Sequence, residues 1–134
     1  MKRFKLFISI VSILIVAAAG CNKNDSLTGP NGFGNNQVSF HISQRSGNNG
    51  GIEFLFQPSV DSRISRVVSR LPAQQFADSI TNVNVNYVYS KDTIYLINEY
   101  VGVSNGQQWQ FDFTGTVPGQ NNSNYSVTSN YTVQ

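Results

Sequence analysis

From Gln37 to the end of the chain, apolar side chains recur at nearly every second position, and that period commits the sequence to β-strands. Val38, Phe40 and Ile42 alternate with Ser39, His41 and Ser43. The turn signal Asn48-Asn49-Gly50-Gly51 then leads into Ile52, Glu53, Phe54, Leu55 and Phe56. Val83, Val85, Tyr87 and Tyr89 alternate with asparagines. Trp109, Phe111 and Phe113 alternate with Gln108, Gln110 and Asp112, and Tyr125, Val127, Ser129, Tyr131 and Val133 alternate with Ser126, Thr128, Asn130 and Thr132. A strand with one apolar and one polar face belongs to an antiparallel sheet that packs on one side and meets water on the other.

One segment follows a different rhythm. Val60, Ile64, Val67, Val68 and Leu71 fall at helical spacing, with Arg63, Arg66 and Arg70 on another face, between Pro58 and Pro72. Its serines and β-branched residues are poor helix formers, so residues 60–71 are expected to form a strand with a bulge near Val67-Val68. The arginines are expected to form a solvated face rather than an anion site. Seven or eight strands in about 98 residues, with turn signals every 8 to 12 positions, give the rhythm of a two-sheet sandwich. A closed barrel is the other option. Residues 37–134 resemble an immunoglobulin-like or fibronectin-III-like β-sandwich, although the paired cysteines of antibody domains are absent and Trp109 comes late in the chain. Charged residues make up 12 % of the 134 positions, about half the usual share, which excludes coiled coils and charge-rich disordered chains. The length admits one ordinary domain.

The first 36 residues carry a different signal. Lys2, Arg3 and Lys5 precede an apolar run from Leu6 to Ala19, which is followed by Gly20 and Cys21. A basic start, an apolar run too short to span a bilayer comfortably and small residues before a cleavage point form a secretory signal. Ala18-Ala19-Gly20-Cys21 resembles the lipobox of type II signal peptides of bacterial lipoproteins, with Ala18 where leucine is commoner. The resemblance implies cleavage after Gly20, a diacylglyceryl group on the Cys21 sulfur, and anchorage to membrane lipid through the acylated Cys21. It further implies a place in the cell envelope. Because Asn22 is not the aspartate that favours inner-membrane retention in enteric bacteria, the outer membrane is expected, on its periplasmic or its surface face. Cys21 is the only cysteine, so no internal disulfide can form.

Residues 21–36, from the lipidated cysteine through a run punctuated by Asn, Gly and Pro, read as a flexible tether spanning roughly 20 Å. The expected organisation is therefore a signal peptide at 1–20, a tether at 21–36 and a β-sandwich at 37–134. Removing the signal also removes three of the nine Lys/Arg, leaving six against seven acids and a formal charge of −1. A chain without a basic footprint is not expected to bind nucleic acid.

Turn chemistry suggests a register for the second half. Lys91-Asp92, read as a two-residue hairpin loop, pairs Tyr89 with Ile94, Tyr87 with Leu96 and Val85 with Asn98. Asn105-Gly106, a strong hairpin signal, pairs Gly102 with Trp109, Tyr100 with Phe111 and Asn98 with Phe113. On the opposite face this register lines up Asn84, Glu99 and Asp112. Facing carboxylates repel unless compensated, and oxygen donors of this kind suit calcium. A register shift at Gly102 or a nearby Lys or Arg would also relieve them. The same register turns Tyr95 outward, as a ring on which a sugar could stack.

Other chemistry has less in its favour. His41, the only histidine, lies on a polar strand face, and no Cys/His cluster for zinc is present. Glu99 and Asp112 have the spacing of a glycosidase pair in this register, but an open sheet offers no water-excluding pocket, and no nucleophile-elbow motif occurs. The expectation is a non-enzymatic envelope lipoprotein that binds an envelope protein or polysaccharide, or serves as a structural module. A surface carbohydrate-binding module is the alternative, and a small envelope enzyme comes third.

Overall fold

The computed structural model describes residues 38–134; the expected signal segment, Cys21 and the tether lie outside the described residues. Eight strands follow in order: β1 (Phe40–Ser46), β2 (Ile52–Pro58), β3 (Ser62–Leu71), β4 (Phe76–Thr81), β5 (Val88–Tyr89), β6 (Tyr95–Tyr100), β7 (Gln108–Val117) and β8 (Ser123–Thr132). They form two antiparallel sheets. The smaller has the order β1-β2-β6, and the larger has the order β4-β3-β7-β8 with β5 paired to β3. Two antiparallel sheets of three and five strands packed face to face make the expected β-sandwich.

Residues 62–71 are a strand, as their flanking prolines and β-branched residues suggested. The bulge falls between Ile64 and Arg66, earlier than the expected Val67-Val68. The Ser65 hydroxyl donates to the Thr114 carbonyl at 3.0 Å there, and the Asn82 amide nitrogen donates to the Ile64 carbonyl at 2.8 Å. One extra residue at this point converts an apparent helical spacing into two in-phase strand segments.

The register read from the two later turns is not the one the chain adopts. The reversals do form, with Thr93 N–H donating to the Ser90 carbonyl and Gln107 N–H to the Ser104 carbonyl, each at 3.2 Å. The strands on either side of each turn belong to different sheets. β5 pairs with β3, β6 with β2, and β7 with β3 and β8. Each turn therefore carries the chain across the sandwich. The expected strand from Val83 to Tyr89 shortens to two residues, and local turn hydrogen bonds take the place of a ladder ahead of them. Asn84 N–H donates to the Asn82 side-chain oxygen at 3.0 Å, and Tyr87 N–H donates to the Asn84 carbonyl at 3.1 Å.

Between the sheets lies an aromatic core. Phe54, Phe111 and Phe113 are fully buried, with Phe40, Phe56 and Trp109 nearly so. Phe40 stacks on Phe113 with centroids 4.0 Å apart, and Phe54 meets Trp109 at 4.9 Å and Phe111 at 5.1 Å. Tyr100 reaches Trp109 at 5.1 Å from the opposite sheet rather than from a neighbouring strand. Offset and tilted rings of this kind add directional attraction to the burial of their large apolar area.

Candidate functional site

The row of Asn84, Glu99 and Asp112 is not assembled. Asn84 lies in the irregular link between β4 and β5, Glu99 on β6 of the smaller sheet and Asp112 on β7 of the larger one. No group of three or more His, Cys, Asp or Glu converges among the described residues. Glu99 does face a carboxylate across a ladder, but its partner is Glu53 of β2. Arg45 forms an ion pair with Glu53. Glu99 itself closes the β1–β2 turn, accepting from the backbone N–H groups of Asn49 and Gly51 at 2.9 Å each and from the Asn49 side chain at 2.8 Å. Burial pushes its carboxyl up, but these donors outweigh it and hold the group below the ordinary range. The approach depends on Gly47, where a Cβ would lie 2.2 Å from the Glu99 carboxyl carbon.

Tyr95 does not point into solvent. A one-residue bulge at Ile97, opposite Phe54-Leu55, sets the phase of β6. Tyr95 stacks on Phe56 at 5.4 Å, and its hydroxyl accepts from Ser90 N–H at 2.8 Å. Ile94 and Leu96, expected inside, are more than half exposed. Tyr87, Tyr89 and Tyr95 meet at interplanar angles of 77°, 87° and 79°. Rings so nearly perpendicular give a sugar no flat platform. Beside them an apolar cleft of about 190 Å³ opens near the free edges of β4 and β6, with Phe56, Ile64 and Val67 in its lining and Ile80, Val83 and Leu96 along it. Asp78, on β4, accepts from the Tyr100 hydroxyl at 2.8 Å and the Asn98 amide at 3.3 Å, linking the two sheets along this side. Burial, together with Asp78, raises the Tyr100 hydroxyl to about 12.

His41 is exposed on β1 and lines a wide depression of about 370 Å³ with Lys91 and Asp92. The latter two are engaged with each other at 2.8 Å, which raises the Lys91 ammonium above its ordinary value.

The outer face of the larger sheet is the most extended chemical surface among the described residues. Cross-strand registers place Thr81, Arg66, Thr114 and Ser126 in one row, Ser79, Val68, Asp112 and Thr128 in the next, and Ala77, Arg70, Gln110 and Asn130 in a third. Arg63, opposite Thr116, extends the arginines past the bulge. Asp112 accepts from Arg70 Nε at 2.7 Å and from the Thr128 hydroxyl at 2.6 Å. Burial pushes its carboxyl up, and these two partners more than reverse the shift. Arg63 Nη1 donates to the Asn122 side-chain oxygen at 3.0 Å. Across the sheet, Gly115 leaves room for the Tyr125 hydroxyl to donate to the Arg63 carbonyl at 2.9 Å; a Cβ there would come within 1.9 Å of that oxygen. The arginines share one strand face, as expected from the sequence, because the bulge falls between Ile64 and Arg66. No protein-family model, curated protein or solved structure matches this chain.

Proposed function

We propose that the chain is a lipid-anchored module of the bacterial cell envelope that acts by binding rather than by catalysis. In this reading Cys21 carries the acyl chains, residues 21–36 act as the tether, and the sandwich presents a ligand-binding face. The observation that carries the binding role is the outer face of the larger sheet, where hydroxyls, carboxamides and guanidinium groups from four strands lie side by side. Two or more acyl chains suffice for stable anchorage without a basic patch. The same face favours the carbohydrate-binding alternative, with hydrogen bonds to sugar hydroxyls replacing the ring stacking for which Tyr95 is unsuited.

Mass spectrometry of the protein recovered from bacterial membranes tests the anchor. Cys21 bearing a diacylglyceryl group at the N-terminus is expected, with Cys21→Ser leaving an unlipidated precursor because a hydroxyl is a poor substitute for the thiol nucleophile. An N-terminus at Asn22, or an unmodified Cys21, overturns it.

A further inference from the structure

We infer that Arg63, Arg66 and Arg70 form a binding site for an acidic polysaccharide, a chain of sugars bearing carboxylate or sulfate groups. The inference deepens the binding-module reading and depends on it, but it is independent of the lipid anchor.

Charge is unevenly distributed over the domain. Residues 38–134 hold five Lys/Arg and six Asp/Glu. Three of those cations lie on the outer face of the larger sheet, with Asp112 the one acid registered among them. That face therefore carries a formal +2, while the remaining charges sum to −3. A polyanion is repelled by most of the surface and drawn to one side of it, which favours a defined orientation on encounter.

Two of the three guanidinium groups are held in place. Arg70 is clamped through Nε by Asp112, and Arg63 through Nη1 by Asn122. Arg66 lies between them, exposed, and its guanidinium has no hydrogen-bond or ion-pair partner among the described residues, although its charge helps to hold the Asp112 carboxyl down. Arg66 and Arg70 are four strand positions apart, about 13 Å along an extended backbone, a separation that suits charges repeated along a glycan and exceeds the size of a single small anion. Guanidinium forks match carboxylate and sulfate oxygens, and groups fixed before binding lose less entropy on complex formation. Thr81, beside Arg66 in its row, offers a hydroxyl to the sugar ring. The registers place no aromatic ring on this face, which disfavours base stacking with a nucleic acid, and the exposed apolar side chain at its margin is Val88, too little for insertion into lipid.

The test uses residues 22–134 without lipid, measured by affinity electrophoresis and calorimetry against alginate and dextran sulfate as acidic polymers, neutral dextran, and phosphatidylglycerol vesicles. Alginate or dextran sulfate is expected to bind, more weakly as salt rises. Arg66→Gln is expected to reduce affinity about tenfold, the effect of losing one charge-assisted hydrogen bond, and Arg66→Glu to abolish binding. Both variants should keep the parent melting temperature, and Lys91→Gln, away from this face, should leave affinity unchanged. Equal binding by Arg66→Glu overturns the inference. Neutral dextran bound as tightly as alginate also overturns it, while leaving the broader carbohydrate-binding reading intact. Vesicle binding without alginate binding replaces it with a membrane surface. Failure of every polymer and vesicle overturns both this inference and the binding role of the face.

Discussion

The turn at residues 48–51 and the turns at Lys91-Asp92 and Asn105-Gly106 look alike in sequence and do different things in the fold. The first joins two strands that pair over their whole length, from Ser46 opposite Ile52 to Phe40 opposite Pro58. The other two join strands that never pair, because each carries the chain from one sheet to the other. A tight turn encodes a reversal of direction. Whether the strands then hydrogen-bond to each other or diverge is decided by which arrangement buries both apolar faces. The first turn is also fastened from outside by Glu99, a residue 50 positions away from Asn49.

The core sets this difference between the turns. Phe111 and Phe54 face each other from opposite sheets, and this packing holds the crossing turns open. Phe111→Ala is expected to cost about 3 to 5 kcal/mol, measured by chemical denaturation, a large share of the stability of a small domain. A loss below about 1 kcal/mol would mean that inter-sheet packing does not decide the pairing.

Next in size is the fastening of the first turn. Gly47→Ala places a methyl group against the Glu99 carboxyl and is expected to cost about 1 to 3 kcal/mol. A melting temperature equal to that of the parent would show that Glu99 does not clamp the turn. Acid probes the same carboxyl. Both Glu99 and Asp112 are held below the ordinary carboxylate range, so their contribution is complete above about pH 5 and is lost as pH falls below about 4, through the depressed values. Melting temperature should therefore fall on acidification, and Glu99→Gln should flatten part of that slope.

A crossing turn should be less demanding. Gly106 has φ +83° and open space around it, so Gly106→Ala is expected to cost only the backbone strain, about 1 kcal/mol. A loss as large as that of Gly47→Ala would mean that the substitution also breaks the bond from Gly106 N–H to the Val133 carbonyl at 2.9 Å, which ties this turn to the end of the chain. Smallest of all, Gln110→Ala on the outer face should change stability by less than about 0.5 kcal/mol. A shift equal to that of Phe111→Ala would invalidate the inward and outward assignment of β7.

The inward faces of β1, β7 and β8 were legible in the sequence because their alternation runs on over several residues, whereas in β2 it is interrupted by Leu55. β3 was legible as a strand, but its phase was not, since a bulge is specified by hydrogen bonds from Asn82 and to Thr114, far away in sequence. The first half of β6, up to Ile97, is out of phase with the sequence reading for the same reason, while Tyr100 faces inward as expected. Its bulge at Ile97 answers to β2, and the stretch Ile94-Tyr95-Leu96-Ile97 contains apolar residues at every position, so alternation gave no guide. The candidate acidic row failed because Glu99 and Asp112 belong to different sheets. The arginine group survived, because it needed only a shared face.

Local sequence determined where the chain is extended, where it turns and which side of most strands is apolar, since these follow from backbone sterics and a period of two. Tertiary structure decided which strands pair, where the two bulges fall and so which polar side chains stand together. Those choices depend on burying Phe54 against Trp109 and Phe111, and Phe40 against Phe113, contacts between residues dozens of positions apart that no local pattern contains.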